Sequence, residues 1–368
     1  MAEARFPRAR PLSDLGGSHT WLLDVGGGLA REAVASDRRA VVERPGDEVL
    51  LAALGAASIE RTDLSDTVER VRALLPNGPV IRAVLKLGGF WRSPKERLLY
   101  AEVLRPEVEG SPALLAAGER WLLLEELADA RPVAVDDESA VRAVYRRLAE
   151  VHAGNAPRAL GSVLDGELSA APLSALDADA FVRGVEALEV LAARAARDPE
   201  AWEIGGDDVR RVEGLRAWAA ERGVELAALG PPTLLHGDYQ RRNWLLGPDG
   251  LPRVLDWELA ARGPGILDLY YLQLHAPGAG HAPAGPLAEA AVGWYAERLA
   301  ELAPDAPTAA DLRRHLPDAI AWGALAAARL RLDDFYAPAP RSRSPRGELP
   351  AAAARLIRYA AAQVGVEQ

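Results

Sequence analysis

The spacing of apolar side chains changes character near Leu124. Before it, from Ser58 onward, short runs read as strands: Ser58-Ile59-Glu60-Arg61, Val68 to Leu75 and Val80 to Leu87. Pro76-Asn77-Gly78 supplies the turn between the last two. Trp121-Leu122-Leu123-Leu124 is a short apolar run bounded by polar residues, the pattern of a buried strand. One helix is expected around Glu48 to Leu54, and another after Pro94, where Leu98, Leu99, Val103 and Leu104 share a face. Ahead of these, Thr20 to Val25, Ala30 to Ala35 and Arg39 to Val42 read as three more strands, so residues 1–46 are expected to form a β-rich extension.

Beyond Leu124 the apolar period is that of helices. Val141, Val144, Leu148 and Val151 form one stripe, with Asp136 or Asp137 as its cap, and His152 at its end is expected to meet the last carbonyls. Phe181, Val185, Leu188 and Leu191 mark a second helix; Val209, Val212, Leu215 and Trp218 a third. Leu287, Ala291 and Tyr295, then Leu312, Leu316, Ile320 and Ala324, mark two more, and a last runs from Pro350 to Val364. The Pro/Arg/Ser stretch from Ala337 to Arg346 reads as a loop. The expected class is α+β in two parts: residues 47–124 rich in strand, residues 125–368 mostly helical, with a ligand cleft between them.

One stretch interrupts the helical pattern. Trp244-Leu245-Leu246 and Val254-Leu255 flank the turn Pro248-Asp249-Gly250, which predicts a small hairpin. Asn243 precedes its first strand, Asp256 follows its second, and Asp238 lies on the loop feeding it, in His236-Gly237-Asp238. Pairing the strands gathers three oxygen-bearing side chains at one hairpin base. Asn243 and Asp256 could ligate Mg²⁺, which takes oxygens and keeps water and phosphate in its other positions. Asp238 is then left to orient a substrate hydroxyl and accept its proton.

Composition narrows the alternatives. The chain has no cysteine, which removes disulfides, thiolate metal sites and a Cys nucleophile, and suits a reducing compartment. A net charge of −10 argues against a nucleic-acid partner. The stretch after Met1 lacks the basic-then-apolar pattern of a signal peptide and no apolar run is long enough to span a bilayer, so a cytoplasmic protein without membrane partner is expected. The six histidines form no zinc pair at helical spacing, and no Gly-x-Ser-x-Gly elbow occurs. All but two of the 43 Lys and Arg positions are arginine, the exceptions being Lys86 and Lys95. A lysine inside the apolar strand Val84-Leu85-Lys86-Leu87 calls for a reason, and a compact ammonium among phosphate oxygens is one.

The ordered set His-Gly-Asp-x4-Asn, the strand end Val254-Leu255-Asp256-Trp257, then Gly263-Pro264-Gly265 and Asp268-Leu269 resembles the aminoglycoside phosphotransferase and choline kinase-like family. The resemblance covers about residues 47–335 and implies a bilobal, protein kinase-like fold, with the nucleotide lobe at 47–124 and the catalytic loop and acceptor pocket in 125–368. It implies Asp238 as base, Asn243 and Asp256 as Mg²⁺ ligands, and His236 and Asp268 as braces of the loop. ATP or GTP is the implied phosphate donor: Lys86 paired with Glu96 for its phosphates, Ser65 and Thr67 covering them, and main-chain groups of Glu125 and Leu127 for its base. The implied acceptor is a hydroxyl of a small molecule such as an aminoglycoside, amino sugar or amino alcohol. Trp257, Glu258, Tyr270, Tyr271, Trp294, Trp322, Asp333 and Asp334 are candidates to line its pocket, although aromatics at helical spacing also suit a core.

Two features depart from the family. The phosphate-covering turn Asp63-Leu64-Ser65-Asp66-Thr67 has no glycine and carries two aspartates, which leaves open a kinase-like binding protein that has lost catalysis. Residues 1–46 match nothing in the family core. A protein kinase is disfavoured, because Gly237 stands where an Arg would follow the His and Trp257-Glu258 replaces Phe-Gly.

Overall fold

The computed structural model describes residues 44–65, 67–87, 96–97, 99–104, 110–118, 121–134, 136–155, 176–272, 286–337 and 346–366. The strands expected before Val42 and most of the Pro/Arg/Ser stretch lie outside them.

Asp47–Leu54 forms helix α1, stopped by Gly55 in the left-handed region at φ 61°. Strands β1 (Ser58–Ser65), β2 (Val68–Leu74) and β3 (Val80–Leu87) follow as an antiparallel meander. A π-helical turn at Leu99–Val103 leads to β4 (Leu114–Ala117) and β5 (Trp121–Glu125), which complete a five-stranded sheet in the order β1-β2-β3-β5-β4. The sequence pattern misses β4, because Leu114-Leu115-Ala116-Ala117 is apolar at every position and shows no alternation.

The period of two sorts the sheet into faces. Val71, Ala83, Leu85, Leu87 and Leu123 point to one side and pack with Leu50 of α1. Lys86 therefore points to the other side, where its cross-strand partner Leu122 joins Leu99, Tyr100, Val103 and Leu104 in the main core.

After the sheet come β6 (Arg131–Pro132) and helices α2 (Glu138–Gly154), α3 (Ala178–Ala195) and α4 (Gly206–Ala227). Asp137 is the cap of α2, its Oδ1 accepting from the Ala140 N–H at 3.0 Å. Four short strands then run as β7 (Pro232–Leu235), β8 (Trp244–Leu246), β9 (Pro252–Val254) and β10 (Ala261–Pro264). The chain closes with α5 (Pro286–Leu302), α6 (Ala309–Tyr336) and α7 (Leu349–Gln363). One core joins α2, α5 and the β8–β9 hairpin. A second joins α3, α4, α6 and α7, and α6 runs through both.

Two connections hold the sheet over the hairpin. The chain leaving β5 adds β6 to the hairpin's edge, pairing Arg131 with Leu246. The Gly110 carbonyl, on the way to β4, accepts from the Val254 N–H at 3.0 Å. Gly110 has φ 68°, and a Cβ there would lie 2.5 Å from the Pro252 carbonyl oxygen, so only glycine allows this approach. Among the described residues no helix is long and apolar enough to cross a membrane.

Candidate active site

The hairpin forms as its turn chemistry requires: Trp244 pairs with Val254 and Leu246 with Pro252. Outside the strands, the Leu255 N–H donates to the Asn243 carbonyl at 2.9 Å, which keeps Asn243 and Asp256 at one end. Asn243 ends a 3₁₀ turn, Arg241–Asn243, that follows the Asp238 loop. Its Nδ2 donates to the Asp238 carbonyl at 2.8 Å and to Asp238 Oδ2 at 2.9 Å. Both partners are acceptors, so the amide orientation is determined and Oδ1 is left as the side chain's acceptor. Asp238 is buried, at 3 % exposure. Its Oδ1 also accepts from Gln240 Nε2, and its Oδ2 from Arg242 Nη2 at 2.9 Å.

Asp268 carries the loop on its two oxygens. Oδ2 accepts from the His236 N–H at 2.6 Å and Oδ1 from the Gly237 N–H at 2.8 Å. His236 Nε2 donates to the Leu255 carbonyl at 2.8 Å, while Nδ1 accepts from the Asp238 N–H at 3.1 Å. A carbonyl only accepts and an amide N–H only donates, so His236 bears its hydrogen on Nε2 and ties loop to hairpin. Gly237 has φ 76° and lies so close to the Leu259 carbonyl that no Cβ fits, which explains the residue between His and Asp.

Opposite this loop stands Lys86. Its ammonium lies 2.9 Å from Glu96 Oε1, 2.6 Å from Asp256 Oδ1 and 4.0 Å from Glu258 Oε2. Burial disfavours the ammonium charge, but Glu96, Asp256 and Glu258 outweigh it and hold the Lys86 pKa above its ordinary value. Burial pushes the Glu96 carboxyl up, against the pull of Lys86. Burial likewise disfavours the Asp256 carboxylate, yet Lys86 brings its pKa below the usual range. Among the described residues Asp256 is the one non-glycine with positive φ, at 65°. That conformation costs about 1 kcal/mol or more and occurs most often where function requires it.

The other candidates lie as follows. Ser65 ends β1, and its Oγ accepts from the Thr67 N–H at 3.4 Å across the turn. Asp63, one of the two aspartates there, pairs with Arg44 at 3.2 Å; Asp66 lies outside the described residues. Glu125 ends β5 and its N–H donates to Ala113 at 2.9 Å. Leu127 accepts from the Ala130 N–H at 3.0 Å, and no hydrogen bond reaches the Leu127 N–H among the described residues. Of the acceptor candidates, Trp257 is fully buried beside His236 at a ring distance of 4.7 Å, and Trp322 packs on Phe181 at 4.4 Å. Both belong to the core. Trp294 is partly buried near Arg142. Asp333 faces Arg329 and Asp334 is buried on α6, while the side chains of Tyr270 and Tyr271 lie outside the described atoms. Glu258 alone of this group is seen at Lys86.

Sequence reasoning misplaced His152. It does not turn to the end of α2, where Asn155 Nδ2 takes the Val151 carbonyl at 2.8 Å. Buried instead, its Nε2 lies 3.2 Å from Asp268 Oδ2 and its Nδ1 2.8 Å from the Tyr295 hydroxyl. Burial, then Asp268, raises the Tyr295 pKa well above its ordinary value, so the hydroxyl keeps its proton. A Cβ at Gly265 would lie 2.6 Å from both His152 Nδ1 and the Tyr295 oxygen, so the glycine in Gly263-Pro264-Gly265 makes room for this pair. Gln240 and Arg242, both on Asp238, were also missed: nothing in their spacing marks them.

The donor set suits a magnesium ion. Asn243 Oδ1 and the Asp256 carboxylate are hard oxygens at one hairpin end, and two protein ligands match an ion that retains waters and phosphate oxygens. Among the described residues no cluster of three or more His, Cys, Asp or Glu side chains could hold a metal ion by itself, as a transition-metal centre would need.

Comparison with known proteins bears on the family and the fold. The model of the phosphotransferase enzyme family matches residues 97–304, more than half of the chain. No curated protein matches the sequence. Among solved structures, macrolide 2′-phosphotransferase MphH from Brachybacterium faecium is 19% identical with a TM-score of 0.53, covering 84% of this chain and 95% of its own. Choline kinase LicA from Streptococcus pneumoniae is 13% identical with a TM-score of 0.54, covering 86% of this chain and 97% of its own. Ethanolamine kinase from Plasmodium vivax is 10% identical with a TM-score of 0.56, covering 84% of this chain and 81% of its own. At such identities the likeness is one of fold. The chain belongs to the phosphotransferase enzyme family, an enzyme of phosphoryl transfer with the bilobal, protein kinase-like fold of the small-molecule kinases.

Proposed function

We propose that the protein transfers the γ-phosphoryl group of ATP or GTP to a hydroxyl of a small molecule, with Asp238 as base. One observation carries the reading: an ammonium from the sheet, Lys86, meets Asp256 of the hairpin at 2.6 Å while Glu96 grips it at 2.9 Å. That contact spans the cleft where a triphosphate would lie, and the raised pKa keeps the lysine charged for it. Residues 47–124 act as the nucleotide lobe and 125–368 as the lobe of catalytic loop and acceptor. The Glu125 carbonyl and Leu127 N–H serve the base, and Ser65 and Thr67 serve the phosphates through hydroxyl and N–H.

Mg²⁺, held by Asn243 and Asp256, supplies positive charge to the phosphate oxygens when bound. Asp238 accepts the hydrogen bond of the acceptor hydroxyl, directs its oxygen at phosphorus and takes its proton as the bond forms. Asp268, through the N–H groups of His236 and Gly237, holds the loop that aims Asp238. The acceptor class is an aminoglycoside, amino sugar or amino alcohol, which the acidic chain and Glu258 at the cleft favour. An ATP-consuming reaction and a cysteine-free chain suit the cytoplasm.

The test is nucleotide turnover with Mg²⁺ over a panel of hydroxyl-bearing amines and sugars, followed by Asp238→Ala. Loss of about 10²–10⁴-fold in transfer is expected. An Asp238→Ala protein that transfers phosphate as well as wild type overturns the role of Asp238. Wild-type protein that binds no Mg·ATP or Mg·GTP at millimolar concentration instead leaves the non-catalytic alternative.

A further inference from the structure

We infer that Arg242 is the residue that grips the phosphoryl group in flight: its guanidinium, held on Asp238, exchanges that carboxylate for the γ-phosphoryl oxygens when nucleotide binds. The inference rests on the function proposed above and assigns one more residue to it.

The argument begins with the surroundings of Asp238. Gln240 donates to Oδ1 of its carboxylate, and Asn243 and Arg242 donate to Oδ2, each of the last two at 2.9 Å. Gln240 and Asn243 are buried, whereas the Arg242 side chain is 61 % exposed. The solvent-facing side of this set of donors is thus the Arg242 side. An acceptor hydroxyl reaches Asp238 from that side, so it takes the place of the guanidinium. Arg242 must therefore have somewhere to go.

Charge indicates where. Lys86, the cation already facing the cleft, is surrounded by Glu96, Asp256 and Glu258, so the group as a whole is acidic before nucleotide arrives. A triphosphate adds more negative charge, and charge on the transferring oxygens calls for a donor beside the attacking side. A guanidinium binds phosphate through two parallel N–H donors, better than it holds a single carboxylate oxygen. Its neighbour Arg241 is turned away, donating from Nε to the Val133 carbonyl at 3.2 Å, so the two adjacent arginines face different surroundings.

Arg242 trades Asp238 Oδ2 for phosphoryl oxygens, and the acceptor O–H replaces it on Asp238. The acceptor oxygen then bonds to the γ-phosphorus and the bond to the bridging oxygen breaks. Its electron pair leaves with the nucleoside diphosphate, and the acceptor proton passes to Asp238.

The experiment needs no identified acceptor. Calorimetric titration of the full chain with Mg·ADP, alone and with aluminium and fluoride to mimic the transferring group, gives a ratio of two dissociation constants. Wild type is expected to bind more tightly with fluoroaluminate. Arg242→Ala should lose at least about tenfold of that ratio, with Arg242→Lys intermediate, because the guanidinium meets the transferring group and not the diphosphate. Arg242→Gln repeats the test should the alanine variant fail to fold. An Arg242→Ala or Arg242→Gln protein with the wild-type ratio overturns the assignment, as does wild type that binds Mg·ADP with no gain from fluoroaluminate. Wild type that binds neither Mg·ADP nor Mg·ATP overturns the proposed function itself, a different result.

Discussion

Asp256 shows how single residues at this site set stability against function. Its backbone is held at φ 65° and its carboxylate shares one ammonium with Glu96 and Glu258. Asparagine has the same shape, tolerates the left-handed region and removes one of three crowded negative charges. Asp256→Asn should therefore melt at the wild-type temperature or above it, while phosphoryl transfer falls by about 10²-fold or more through loss of the negative charge proposed to hold the metal and of the ion pair with Lys86. Melting curves and turnover on one preparation check both halves. A clear loss of stability would show that the Lys86–Asp256 pair holds the fold together.

At the scale of elements, the helical part relies on a buried carboxylate. Asp208, in the first turn of α4, accepts from the Gly205 N–H at 3.1 Å and from Arg358 of α7 at 2.8 Å and 2.9 Å. Burial disfavours its charge, but Arg358, the Gly205 N–H and Arg211 outweigh burial and hold its pKa below the ordinary value. A depressed folded-state pKa means that the stabilisation is present above the unfolded carboxyl pKa and is lost as pH falls through the folded one. Asp208→Asn should thus cost about 1–2 kcal/mol at pH 7, reduced because Arg358 is half exposed, and nothing once the pH lies below the folded pKa. Denaturant unfolding of both proteins at neutral and acid pH measures this. A difference that persisted unchanged at acid pH would assign the loss to packing.

For the whole molecule, Lys86 of the sheet meets Asp256 of the hairpin, and Asn243 at the same hairpin end holds Asp238. A nucleotide bound there contacts both parts at once, so it should act as a bridge. At a hundredfold excess over its dissociation constant, Mg·ATP adds about 2.7 kcal/mol to the unfolding free energy. A thermal melt should move upward accordingly, and Lys86→Met should abolish most of the shift. A full shift in the Lys86 variant would place nucleotide binding away from the β3 lysine.

How much of this the chain announces depends on the range of the interaction. Periodicity and turn chemistry are local, so the strands β1, β2, β3 and β5, the β8–β9 hairpin and most helices are legible from the sequence, and so is the ordered series of Lys86, Glu96, Asp238, Asn243 and Asp256. One of only two lysines among arginines, and an amide and a carboxylate at the two ends of a hairpin, are local signals too. What the sequence could not reveal is long-range: β4, uniformly apolar and recognisable only by its pairing with β5; His152, whose partners Asp268 and Tyr295 lie 116 and 143 residues away; and the core positions of Trp257 and Trp322. Arg242 is only four residues from Asp238, yet its approach depends on how the 3₁₀ turn directs the side chain. Residue type and spacing determine which groups can be brought together; packing decides which donor finally reaches which oxygen, because burial removes water as the alternative partner.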